Sequence, residues 1–145
     1  MLAPAEEIAA VLGGPGVLGR AVHTHEQLMK LVAAGLPYGS FEALAERSRV
    51  GVDELGEIVG IPKATRSRRR QTGALAPDES DRICRFARVF AHALSVFEDS
   101  DEAAHWFATP NIALGKEIPL SVVATDLGAQ QVDQALIRIE QGIFS

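Results

Sequence analysis

Between Asp78 and Phe97 the apolar residues Ile83, Phe86, Ala87, Phe90, Ala91, Leu94 and Phe97 recur at steps of three and four. That period puts them on one stripe of an α-helix, and a stripe carrying three phenylalanines has to be covered by other parts of the chain. Burying one apolar side chain of this class contributes ~1.5–3 kcal/mol, so the segment is expected to be the central core helix around which the rest packs. Asp78, Glu79 and Asp81 lie in its first turn, where acids complement the positive end of the helix dipole. Arg82, Arg85 and Arg88 fall on the other face; they either extend a basic surface or pair with nearby acids. Core packing accounts for the stripe without a coenzyme pocket, and no cofactor is expected.

The remaining segments read the same way. A short helix is expected over Ala5 to Leu12, before a Gly13-Gly14-Pro15-Gly16 break, in a segment serving as a mobile arm or a packing lid. Thr24 can cap a helix from His25 to Ala34, ended by Gly35. Pro37 and Gly39 suggest a turn, after which Ser40 can cap Phe41 to Arg47. Ser100 can cap Asp101 to Ala108, Pro119 can start a short helix, and the last helix runs from Ala129 to Gln141 with Val132, Leu136 and Ile139 inward. Gly142 ends it, leaving Ile143-Phe144-Ser145 as a tail. No segment alternates as a strand does, so the fold class is all-α. A chain of 145 residues with 47% hydrophobic and 23% charged content is of one-domain length, or two small modules sharing a core. The boundary is placed between residues 76 and 77.

Charge is distributed unevenly. The net charge is −5, yet five of the fourteen Lys and Arg residues (Lys63, Arg66, Arg68, Arg69 and Arg70) fall within eight positions that hold no acid. From Glu98 onward, acids outnumber bases by eight to two. The basic segment follows a short apolar helix, Val52 to Val59, and the break at Gly60-Ile61-Pro62. Helix, glycine turn and basic helix over residues 52–72 match a helix-turn-helix, whose second helix enters the DNA major groove. Lys63, Thr65, Arg66, Ser67, Arg69 and Arg70 are the candidate DNA contacts, early residues facing base edges and arginines reaching phosphates. An arginine-rich solvated face in an ordinary all-α protein would look the same, so the pattern alone leaves both readings open.

Other chemistry lacks the residues it needs. His23, His25, His92 and His105 do not pair at metal-site spacing with supporting carboxylates, so no metal site is expected. The glycine-rich break has no following Lys-Ser/Thr for phosphate binding, and no Ser, His and Asp grouping suggests nucleophilic catalysis. The chain reads as a binder and not an enzyme. Cys84 alone excludes an internal disulfide and reads as a small buried apolar residue. With no basic leader and no apolar run long enough for a bilayer, the chain is expected to be cytoplasmic and to have no membrane partner.

Two separated pieces resemble the Xre/MbcA/ParS-type antitoxins. One runs from Arg68-Arg69-Arg70 through Leu75-Ala76-Pro77-Asp78-Glu79-Ser80-Asp81-Arg82. The other is Trp106 to Ser145, with Thr109-Pro110-Asn111, Ala113-Leu114-Gly115, Pro119-Leu120, Gly128 and Arg138-Ile139-Glu140-Gln141-Gly142-Ile143-Phe144-Ser145. The resemblance implies an Xre-like helix-turn-helix in residues 1–76, then the long core helix and a small helical toxin-binding domain in residues 77–145. It further implies a RES-domain toxin partner that degrades NAD, repression at the operator of the chain's own promoter, and a homodimer within a larger toxin–antitoxin complex. On this resemblance Trp106, Asn111, Leu114, Gly115, Glu140, Gly142, Ile143, Phe144 and Ser145 are the expected toxin-binding residues, with Phe144 and Ser145 entering or bordering the toxin's NAD pocket. Trp106 and Leu114 could equally serve internal packing. The chain departs from the family pattern at Arg66, where an aliphatic residue usually packs the two helices together, and at Lys116, where a second glycine is usual. A stand-alone helix-turn-helix regulator with a ligand-sensing or dimerising C-terminal domain is the competing reading, and it leaves the acidic C-terminal third unexplained.

Overall fold

In the computed structural model, which describes residues 3–142, the chain is all-α. The helices are α1 (Ala5–Val11), α2 (Pro15–Leu18), α3 (His25–Ala34), α4 (Tyr38–Ser48), α5 (Val52–Ile58), α6 (Lys63–Thr72), α7 (Pro77–Phe97), α8 (Ser100–Phe107), the 3-10 turn η1 (Ile112–Leu114), α9 (Pro119–Val122) and α10 (Asp126–Glu140). Among the described residues no strand forms, and no helix is long and apolar enough to cross a membrane.

The helix α7 is the axis. It packs against α1, α3, α4, α8 and α10, and Ile83, Phe86, Ala87 and Phe90 are fully buried along it. Phe107 of α8 stacks between Phe86 and Phe90, with ring centroids 5.9 and 5.4 Å apart. One apolar cluster runs from Ala3 to Leu136, so both halves of the chain share a core. The Ala-rich start is a packing element rather than an arm: Ile8, Ala9 and Val11 of α1 are buried, and the helix lies on α7.

Several boundaries differ from expectation, each for a local reason. The helix α4 begins at Tyr38, not Phe41, because Tyr38 and Phe41 bury together with centroids 5.6 Å apart. Gly39 and Ser40 therefore lie inside it, and Ser40 caps nothing; its buried hydroxyl has no hydrogen-bond partner. Asp99 rather than Ser100 caps α8, its carboxylate accepting from the Asp101 and Glu102 amides. The last helix starts three residues early, at Asp126, because Thr125 accepts from the Gly128 amide. A side chain at Gly128 would meet the Val122 carbonyl at 1.7 Å, so only glycine lets α10 turn so closely onto α9. Thr24 does cap α3, in a reciprocal capping box with Gln27.

The flank of α7 beside the phenylalanine stripe is polar, and it holds α10. His92 is fully buried, with Nδ1 2.9 Å from Asp133 Oδ1 and Nε2 2.9 Å from Glu140 Oε1. Arg88 donates to the other Asp133 oxygen at 2.5 Å. Both partners of the imidazole are carboxylates, which accept only, so both ring nitrogens carry protons and the ring is cationic. Among the described residues two cations, Arg88 and His92, then face Asp133 and Glu140. Burial by itself would push His92 down, but the hydrogen bonds to Asp133 and Glu140 outweigh it and hold it above its ordinary value. Burial would likewise raise Asp133, but His92 and Arg88 hold its carboxyl below the usual range.

Since His92 is raised on folding, its contribution to stability is complete below about pH 6.5 and is lost as the pH climbs through the raised value. The Asp133 contribution is lost on the acid side, as its lowered carboxyl is protonated. Thermal melts of the wild type and His92→Leu are expected to show the variant weaker by about 3–5 kcal/mol near pH 6, with the gap narrowing as the pH rises through the raised His92 value. A gap independent of pH would mean that His92 contributes packing alone.

Candidate functional site

Two surfaces follow from this frame, one at the basic helix and one at the corner after α8. At the first, α5 and α6 form a helix-turn-helix around Gly60, whose left-handed φ of +70° glycine adopts without Cβ strain. The cations expected to face outward divide into two groups. Arg66 points inward and is only 6% exposed. Its guanidinium donates to the Ile61 carbonyl at 2.9 Å and to Asp53 of α5 at 2.5 Å. Gly56 makes room for it: a Cβ there would sit 2.0 Å from Arg66 Nη1. Where an aliphatic side chain usually packs the two helices, this chain uses a buried hydrogen-bonded cation, which fastens α6 to α5.

Arg69 also turns inward, its fork donating to both oxygens of Glu79 at 2.8 and 3.0 Å. The Arg69 guanidinium holds the Glu79 carboxyl below its ordinary range, and Glu79 accepts from the Ala76 amide at the start of α7. From α7, Arg82 donates to the Val59 carbonyl at 2.6 Å and to the Gly60 carbonyl at 3.4 Å. Three successive turn carbonyls are thus held by Arg82 and Arg66 together. The remaining arginines of that flank pair with acids: Arg85 with Asp81 and Asp126, Arg88 with Asp133.

Lys63, Ser67, Arg68 and Arg70 remain exposed on α6, and Thr65 is half-buried. Arg68 reaches only back to the Thr65 hydroxyl at 3.5 Å, and Arg70 lies over the Tyr38 ring, 5.5 Å from its centroid. The structure therefore brings Lys63, Thr65, Ser67 and Arg70 to one accessible helix and takes Arg66 and Arg69 out of it. Arg68 was legible as part of the basic run.

At the second surface, Trp106 is half-buried between Phe97 (5.9 Å) and Phe107 (5.4 Å), and it lines an open crevice of about 450 Å³ with Phe97, Asp101, Glu102, His105 and Thr109. Internal packing and surface lining are thus both true of it. Asn111 caps η1, its side-chain oxygen accepting from the Ala113 amide at 2.8 Å. Leu114 is half-buried against the core. Gly115 and Lys116 follow with φ of +66° and +69°. Lys116 thus adopts the left-handed conformation that a second glycine would adopt freely, at a cost of roughly 1–2 kcal/mol. Glu140, expected at the partner surface, is bonded to His92. Gly142 is exposed with φ +74°. Ile143, Phe144 and Ser145 lie outside the described residues. Cys84 is half-buried, and burial first, then Asp81, pushes its thiol up to about 11.

Known proteins match both parts of the chain. Residues 27–88 match the antitoxin Xre-like helix-turn-helix domain, and residues 92–142 match the antitoxin Xre/MbcA/ParS C-terminal toxin-binding domain. Both matches run through α7. The chain is similar to Antitoxin Xre of Photorhabdus laumondii, 38% identical over 120 residues and covering 81% of each chain. Antitoxin Xre of Yersinia enterocolitica is 39% identical over 94 residues, 63% of this chain and 64% of the relative. Antitoxin Xre of Pseudomonas putida is 30% identical over 99 residues, 68% of this chain and 62% of the relative.

The division of the α6 cations has a direct consequence for stability. In urea denaturation Arg66→Ala is expected to lose about 1–3 kcal/mol, because the Ile61 carbonyl and the space over Gly56 are left unfilled. Arg68→Ala is expected to stay within about 0.5 kcal/mol of wild type. Equal effects from the two would contradict this assignment.

Proposed function

The chain belongs to the antitoxin Xre family, and from that premise we propose that it neutralises a RES-domain, NAD-degrading toxin and represses its own promoter. In this reading the C-terminal helices cover the toxin's active-site entrance, and the residues after Gly142 plug it. The observation that supports it most directly is the toxin-binding match over residues 92–142. The exposed acids of that stretch (Glu98, Asp99, Asp101, Glu102, Glu117 and Asp126) suit a toxin pocket built to hold the phosphates of NAD. The second function belongs to α5–α6, as two copies on two operator half-sites. Lys63, Arg68 and Arg70 are the phosphate contacts, and Thr65 and Ser67 face base edges. Arg66 and Arg69 act by holding the module's shape.

Cellular NAD tests the first part. It is expected to collapse when the toxin gene adjacent to this chain's own is expressed alone, to recover with the intact chain, and to stay low with the chain cut after Gly142. Recovery with the cut chain would move the inhibition from the tail to the Trp106 surface, and no collapse under any condition would sink the NAD reading.

Operator binding across a salt series tests the second part. Replacing Arg68 and Arg70 by Ala should reduce the slope of log K against log salt by about one for each phosphate no longer neutralised, while toxin inhibition stays intact. An unchanged slope would remove these arginines from the DNA interface.

A further inference from the structure

We infer that Ile112 is the apolar anchor with which this chain enters a hole on its toxin's surface, an inference that rests on the toxin-neutralising reading above. Among the described residues four large hydrophobic side chains are conspicuously exposed: Met29, Val52, Ile112 and Leu127. Met29 and Val52 lie outside the toxin-binding stretch. Ile112 lies near its middle, 72% exposed, at the first position of η1.

The backbone that presents it is cross-bonded. The Asn111 amide donates to the Glu117 carbonyl at 3.0 Å, and the Lys116 and Leu114 amides donate to the Asn111 carbonyl at 2.8 and 3.1 Å. Gly115 donates to the carbonyl of Ile112 itself at 3.1 Å, and the Asn111 side chain caps the turn from within. Behind it, Leu114 packs on the core and η1 rests against α10. The corner keeps this shape although Lys116 is held in a left-handed conformation, which is the kind of local strain found where geometry serves recognition. An isoleucine on such a turn is already ordered before binding. Its burial by a partner is then offset by little lost chain entropy, which is the condition for a hot spot. Leu127 is exposed to a similar degree on the capped first turn of α10, but it lies outside the Asn111–Glu117 turn and its left-handed Lys116.

The test is the affinity of the full chain for the purified toxin of its own operon, with the toxin's catalysis left out of the readout. Ile112→Ser is expected to weaken association on the order of 10- to 100-fold, the equivalent of losing one buried aliphatic side chain. Ile112→Val should lose only a few-fold, and Met29→Ser should bind as wild type does. The melting temperature of the free chain should be the same in all three, because Ile112 is solvent-exposed there. Wild-type affinity in Ile112→Ser would overturn the inference while leaving the antitoxin reading standing. So would a lowered melting temperature in that variant, which would make Ile112 structural. No complex with the unaltered chain would overturn the toxin-neutralising reading and this inference with it.

Discussion

A helix packed by five others cannot be satisfied with apolar contacts alone when its sequence carries Arg82, Arg85 and Arg88 in close succession, and α7 resolves this by using two kinds of contact on adjacent flanks. The phenylalanine stripe receives α8. Beside it, Arg82, Arg85, Arg88 and His92 follow one another at three- and four-residue steps, so they share one flank. Each meets a partner from elsewhere in the chain: the α5–α6 turn, Asp126, Asp133 and Glu140. Apolar burial tolerates small slips between helices, whereas an imidazolium bonded to two carboxylates does not. A buried ion cluster of this type adds little net stability over a well-packed apolar one, and its effect here is to set the register of α10 on α7.

The same physics explains why a run of arginines on α6 is a poor guide to what faces outward. An arginine carries five donors and no acceptor, so it readily serves carbonyls and carboxylates left over at helix ends. Val59, Gly60 and Ile61 follow α5 with carbonyls that the helix itself leaves over, and Glu79 begins α7 with a buried carboxylate. Arg82, Arg66 and Arg69 satisfy these groups, and in doing so they tie α5, α6 and α7 into one body. The module that reads as a DNA-binding element is thereby joined rigidly to the helix that also carries the toxin-binding domain.

At the other end the chain keeps a costly feature. Lys116 stands where glycine would relieve the backbone, yet the hydrogen bonds among Asn111, Leu114, Lys116 and Glu117 hold the turn closed. The same turn leaves Ile112 in solvent and sends Leu114 to the core. One short segment therefore both packs and presents.

By itself the sequence determined the elements and their character. The three- and four-step stripe of α7, the glycine break between α5 and α6, and the Trp106 to Leu120 corner were all legible, because each depends on residues within a few positions of one another. The two family motifs placed the chain for the same reason. Only the tertiary structure decided what each charged residue does. Arg66 turned inward because Gly56 and Asp53 leave a space and a partner for it, and Glu140 turned to His92, forty-eight positions away. Periodicity carries no record of which distant carboxylate a cation will meet, and in this protein that meeting separates the cations that hold the fold from those left exposed on α6.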